Sequence, residues 1–164
     1  MWIKSIFTLG LVCFCSFPSQ AQNQDPLKGD MYVSRIVKEK GNGESKYSRE
    51  KNVERTRPGD ILEYVIKYTN VSRHPLQEIE ILGPIPKDTY LLADTPAARN
   101  AGEMRASLDG GKSYGIPPLK KKIEKDGKVV EVEVPEKEWT HLKWVVKKLL
   151  PGEWAAVRYW VTVK

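Results

Sequence analysis

Two long stretches of this chain alternate between side chains suited to a core and side chains suited to a surface. They cover residues 61–70 and 154–163, and each follows a short segment of proline, glycine and an acid, Pro58–Asp60 and Pro151–Glu153. Proline fixes φ near −65° and glycine accepts φ > 0, so this pair predicts the two central positions of a type II turn. Period-2 alternation is typical of a strand that buries one face. We therefore predict two half-buried strands, each preceded by a turn.

The alternation also assigns a face to each side chain of these two strands. In the first strand we expect four inward side chains and two charged outward ones: Leu62, Tyr64, Ile66 and Tyr68 inward, Glu63 and Lys67 outward. In the last strand we expect small and aromatic residues inward: Ala155, Val157, Tyr159, Val161 and Val163. The opposite face of the last strand then carries Trp154, Arg158 and Trp160.

The rest of the chain contains further short alternating stretches separated by glycine and proline. We predict strands at 31–38, near Tyr47, and at 76–82, 89–92, 104–108, 113–114, near 123, 129–134 and 140–146, with turns at Asp109–Gly111 and Asp126–Gly127. No stretch shows sustained helical periodicity with end caps. The pattern predicts an all-β fold, an immunoglobulin-like antiparallel β-sandwich of about seven to nine strands, with a barrel as the alternative.

The N-terminus has the composition of an export signal. Lys4 supplies a positive charge, residues 6–17 form an apolar stretch shorter than the roughly 20 residues of a membrane span, and Ser19–Ala21 fits a cleavage site. We predict a signal peptide at 1–21, a flexible leader at 22–30 and one domain at 31–164 with no transmembrane segment. The mature chain is then periplasmic or extracellular.

Cysteine and charge narrow the classes of function. Both cysteines, Cys13 and Cys15, fall within the predicted signal, so the mature chain would contain no disulfide and no thiolate-bound metal. The formal charge is +6, but charged residues of both signs are interleaved and make up 29% of the chain, as on a solvated surface. The densest basic cluster, 120–122, lies among acids and has no aromatic neighbours to stack on bases. We therefore expect no nucleic-acid partner.

No group of residues has the spacing of a catalytic or metal site. His74 precedes a proline in a turn and His141 is expected on an outward face, without the paired ligands that zinc requires. Asp109–Gly111 fits a hairpin better than a calcium loop, which needs several spaced oxygen ligands. Asp94 and Glu103 would form an acid pair only by accident of folding. The sequence predicts no enzyme, no cofactor and no metal.

Tryptophans are the one feature that suggests binding. Trp154, Arg158 and Trp160 share the outward face of the last strand, and Trp139 lies close by in sequence. Exposed tryptophan with arginine is typical of protein interfaces and of surfaces that stack on sugars. These four residues are the candidate partner-binding residues. The alternative is that a loop or the hairpin 120–134 covers this face and makes the tryptophans a second small core.

Several segments of the chain resemble a bacterial family, the conserved-repeat domain known as domain of unknown function 11. The segments, in the family's order, are Arg57–Asn70, Leu76–Ile81 with Gly83–Pro86, Ser107–Tyr114, Trp139–Trp144 and Leu150–Glu153 with the closing strand. The resemblance covers Thr56 to Lys164. Many relatives carry tandem copies, whereas this chain has one.

This resemblance implies an immunoglobulin-like fold on an exported protein, without recognised catalytic residues. It suggests a non-enzymatic cell-envelope module with a structural or protein-binding role, whose partner is an envelope protein. A glycan-binding module that uses exposed tryptophans on a surface polysaccharide is the alternative function.

Overall fold

The alternating stretches form antiparallel strands in the computed structural model, which describes residues 25–39 and 46–164. Within those ranges the strands are β1 Leu27–Glu39, β2 Lys46–Lys51, β3 Ile61–Asn70, β4 Leu76–Pro84, β5 Thr89–Leu91, β6 Ala97–Arg99, β7 Arg105–Ser107, β8 Lys120–Lys125, β9 Lys128–Glu133, β10 His141–Leu149 and β11 Trp154–Val163. A 3₁₀ turn covers Glu136–Glu138. The predicted signal peptide, with Cys13 and Cys15, lies outside the described residues.

Nine of these strands form two sheets that pack face to face. The larger sheet has six strands in the order β2-β1-β3-β11-β5, with β6 also paired to β11, and the smaller has the order β4-β10-β7. Every pairing is antiparallel. The all-β sandwich predicted from the alternation is confirmed; the immunoglobulin-like classification stays a prediction.

The core lies between the two sheets and contains the side chains that the alternation assigned to it. Strand β11 contributes Ala155, Val157, Tyr159 and Val161, all buried, and β10 contributes Leu142, Trp144 and Val146. Tyr159 stacks on Trp144 at 6.3 Å between ring centroids, and its hydroxyl donates to the carbonyl of Pro84 in the opposite sheet at 2.8 Å. A Cβ on Gly83 would lie 2.8 Å from the Tyr159 ring, so only glycine leaves room for this aromatic pair.

Both proline–glycine turns are type II, as predicted. Gly59 has φ +88° and Gly152 has φ +79°, and in each turn the fourth residue donates its N–H to the first carbonyl at 3.0 Å. The acid has a role in each turn, since the carboxylates of Asp60 and Glu153 accept the N–H of the first residue at 2.8 Å. The two turns tie opposite ends of the central pair β3 and β11 together through Gly59 N–H to Val163 O and Gly152 N–H to Asn70 O, both 2.9 Å.

Strands β8 and β9 form a separate two-stranded hairpin. Asp126 and Gly127 both have positive φ, 53° and 71°, as the two-residue turn of such a hairpin requires. Along both strands every residue is exposed except Val132, which is half-buried. The hairpin predicted at Asp126–Gly127 is confirmed, and it projects from the sandwich.

Three details differ from the sequence prediction. Leu27–Asp30, expected in the flexible leader, belong to β1 and pair with 67–70 of β3, because backbone hydrogen bonds form there without an alternating side-chain pattern. Strand β6 was not predicted. Ser113 and Tyr114 form no strand, since only one bridge, Ala106 to Gly115, follows the Asp109–Gly111 turn.

None of the helical segments within 25–39 and 46–164 has the length and hydropathy of a membrane span.

Candidate functional site

A groove of about 870 Å³ lies on the face of the six-stranded sheet that points away from the core. One row of side chains on its floor crosses four strands. Val65 of β3 is paired with Tyr32 of β1 on one side and with Arg158 of β11 on the other. Arg158 is in turn paired with Ala97 of β6. Ala156 lies in the next row. Because Ala97 and Ala156 have small side chains, the surface is depressed at these positions of β6 and β11, and this depression forms the groove.

The structure brings two of the four predicted binding residues into this groove. Trp154 and Arg158 line it; Trp160 lies on the same face of β11 but is not among the lining residues. Trp139 was wrongly predicted. It is buried in the core, 6% exposed, with its indole N–H donating to the carbonyl of Val134 at 3.3 Å, because the 3₁₀ turn before it directs the chain inward.

Trp154 is held between cations. The guanidinium carbon of Arg99 lies 4.3 Å from the centre of the indole, and the Lys67 ammonium lies 5.0 Å from it, both within the range of cation–π attraction. The side-chain amide of Asn100 donates to the Trp154 carbonyl at 2.9 Å and so fixes the end of β6 against β11. Trp154 is half-buried as a result, and its ring is occupied by neighbours of the same chain.

A buried carboxylate lies beside the groove. Glu63, predicted outward, does point to that face, but it is only 3% exposed. Arg49 of β2 reaches over β1 and donates two hydrogen bonds to its two oxygens, at 2.6 and 3.0 Å. The Trp160 indole N–H donates to Glu63 Oε1 at 3.0 Å, and Arg158 Nε lies 3.8 Å from the same oxygen.

These contacts decide the ionisation of Glu63. Burial opposes the charged form, but the hydrogen bonds from Arg49 and Trp160 and the two guanidinium charges outweigh it, so the pKa of Glu63 is lowered from its ordinary value of 4.5. The same contacts raise the pKa of Arg49, with the hydrogen bond to Glu63 as the main cause. Glu63 is therefore an anion at neutral pH and serves as the anchor of two arginines.

Trp160 belongs to a small cluster next to this carboxylate. Tyr47 of β2 packs edge-on against it with ring centroids 6.0 Å apart, and Ile36, on the same face of β1, is buried. Trp160 is half-buried, but Tyr47 is itself 50% exposed, so these side chains cover this part of the outer face only partly. The cover comes from β2 and not from the hairpin 120–134, none of whose residues lines the groove.

The groove is electropositive. Among the residues that the structure describes, it is lined by four cationic side chains, Arg49, Lys51, Arg99 and Arg158, and by the one carboxylate of Glu63. That carboxylate is covered, whereas the side chains of Arg49 and Arg158 are 49% and 47% exposed. Within the described ranges the side chain of Arg158 makes no hydrogen bond, and it lines the groove.

Other residues considered from the sequence lie elsewhere. His74 is in the turn after β3 and His141 begins β10, at opposite ends of the sandwich. Asp109 is an exposed loop acid whose pKa is held well below its usual range by hydrogen bonds, chiefly from Ser113, whose hydroxyl and N–H both donate to it. Among residues 25–39 and 46–164, no three His, Cys, Asp or Glu side chains are grouped to hold a metal ion.

Comparison with known proteins gives no match: no family model fits the chain, and neither a curated protein nor a solved structure is significantly similar to it.

Proposed function

We propose that this protein is a non-enzymatic, exported module of the bacterial cell envelope that binds another protein through the groove on its six-stranded sheet. One observation carries the proposal: the groove combines exposed arginine with tryptophan and tyrosine over an apolar floor. These residue types provide most of the binding energy at protein interfaces. Export and membership of the conserved-repeat family are part of the proposal and rest on the sequence patterns described above.

The state of the tryptophans favours a protein ligand over a glycan. The glycan-binding alternative relies on exposed tryptophan, but Arg99 and Lys67 lie over the Trp154 ring and Tyr47 packs against Trp160. The groove residues that remain open to a ligand are Arg158 and Tyr32, which suits a protein interface. Guanidinium groups form paired hydrogen bonds with carboxylates, which proteins carry on their surfaces in abundance.

Capture experiments with matched variants test the proposal. Tagged protein is incubated with detergent-solubilised envelope extract, and bound proteins are compared for wild type, Arg158→Ala and Lys148→Ala. Arg158 is in the groove, whereas Lys148 is an exposed cation on β10 of the other sheet. We expect one partner to be recovered by wild type and by Lys148→Ala but not by Arg158→Ala.

Equal recovery by all three proteins would remove the groove as the binding surface. Retention of the wild type on columns of peptidoglycan or surface polysaccharide, lost in Arg158→Ala, would instead support the glycan-binding alternative. Protein capture without such retention supports the protein-binding function.

A further inference from the structure

We infer that the groove recognises an extended acidic segment of its protein partner, with two carboxylates separated by one residue. This inference rests on the proposed protein-binding function and specifies its ligand. It depends on the charge of the groove, on the spacing of two arginines and on the shape of the surface around them.

The positive charge of the groove favours an anionic ligand. The described residues that line the groove include four cations and one acid, Glu63, which is buried beneath Arg49. A ligand that brings carboxylates would meet guanidinium donors already in place. Charge-assisted hydrogen bonds of this kind are about twice as strong as neutral ones.

The spacing of Arg158 and Arg99 selects the arrangement of those carboxylates. In the sheet register Arg158 lies opposite Ala97, and Arg99 lies two residues farther along β6. The Cα atoms of such diagonal neighbours are roughly 7–8 Å apart. In an extended segment, residues i and i+2 point to the same side and are about 7 Å apart. Two acids with one residue between them therefore match the backbone spacing of the two arginines, and the residue between them points away from the sheet.

Two other occupants fit less well. A second copy of this chain would bring a protein with formal charge +6 to a positive groove, and its projecting hairpin has five lysines against four acids. A bilayer surface is flat, whereas the four cations surround a concave groove. An acidic segment of a different protein fits both the charge and the shape.

Three blocked octapeptides test the inference by isothermal titration calorimetry at low salt. The first has two glutamates separated by one threonine, the second has the same composition with the glutamates adjacent, and the third has glutamine in place of both. Adjacent residues of an extended chain point to opposite sides, so the second peptide keeps the charge and loses the match. We expect the first peptide to bind most tightly and to lose roughly tenfold in affinity with either Arg158→Gln or Arg99→Gln. Lys148→Gln should bind all three peptides as the wild type does.

Equal affinity for the first two peptides would overturn the inferred spacing, and equal affinity for all three would overturn the acidic ligand. Self-association of the wild type that Arg158→Gln abolishes, or Arg99-dependent binding to anionic vesicles, would assign the groove to another occupant. Should no peptide bind while Arg158-dependent capture from envelope extract persists, the inferred ligand is wrong and the protein-binding function stands.

Discussion

At the scale of single residues, Glu63 is the side chain on which most of the outer face depends. Its two oxygens hold Arg49 from β2, Trp160 from β11 and, at longer range, Arg158. A buried carboxylate is stable only when such donors compensate its lost hydration. Glu63 thus links three strands and positions two of the cations that line the groove.

Glu63→Gln is expected to lower the free energy of unfolding by about 2 kcal/mol at pH 7, because charge-assisted hydrogen bonds become neutral ones. The lowered pKa of Glu63 means that its stabilisation is complete above the ordinary value of 4.5 and disappears as pH falls through the lower folded value. The difference between wild type and variant should therefore shrink below about pH 4. Urea unfolding at pH 7 and pH 3 measures both quantities.

Glu80→Gln is the matched control for this experiment. Glu80 also lies in a strand and pairs with a cation, Lys143 at 2.8 Å, but it is exposed, so we expect a change of at most about 1 kcal/mol. An equal effect of the two substitutions would contradict the role assigned to Glu63.

Gly59→Val tests the turn before β3. Gly59 has φ +88° and no atom lies within 4 Å of the position of a Cβ, so the substitution strains only the backbone. We expect a loss of about 1–3 kcal/mol and a fall of several degrees in Tm by calorimetry. Gly59→Asn is the control, because asparagine tolerates positive φ better and should lose less. Similar Tm values for both variants would argue against strain as the cause.

At the scale of elements, the hairpin of β8 and β9 is independent of the sandwich. Its base is closed by the hydrogen bond from Val134 N–H to Leu119 O at 2.8 Å, and both of these residues are buried in the core. Beyond the base, and within the part of the chain that the structure describes, the one ion pair that links the hairpin to the sandwich joins Lys121 to the exposed Glu138. The strands themselves therefore add little to the stability of the domain.

Replacing Lys120–Glu133 by Asn-Gly should leave a folded domain with stability changed by less than about 1 kcal/mol, since an isolated two-stranded hairpin is only marginally stable. Leu119→Ala, at the buried base, should lose about 2 kcal/mol or more. Chemical denaturation compares the two variants. Failure of the shortened protein to fold would show that the hairpin contributes to the core.

At the scale of the whole molecule, the predicted export signal would, once cleaved, define the mature chain. Cleavage after Ala21 would remove both Cys13 and Cys15. We expect intact-mass spectrometry of the exported protein to give a chain that begins at Gln22, and Tm to be unchanged by reductant. Labelling of two thiols by a maleimide reagent would contradict this prediction.

Local rules explain most of what could be predicted about the fold. The type II turns at Gly59 and Gly152, the buried face of β11 and the hairpin at Asp126–Gly127 all depend on residues adjacent in sequence. Strand β6 was missed because Ala97–Arg99 has no alternating pattern and forms only by pairing with β11. Because β6 was not predicted, Arg99, one of the two arginines proposed to bind the ligand, was not recognised from the sequence.

Local sequence patterns specified the type II turns, most of the strands, and the placement of Trp154, Arg158 and Trp160 on one face of β11, whereas Ala97–Arg99 became a strand only by pairing with β11. The surroundings of those side chains came from the packing of distant strands. This packing buried Trp139, covered Glu63 with Arg49 and opened the groove beside Arg158. The physical reason is that alternation assigns a face to a side chain, whereas its exposure depends on which distant strand packs over that face.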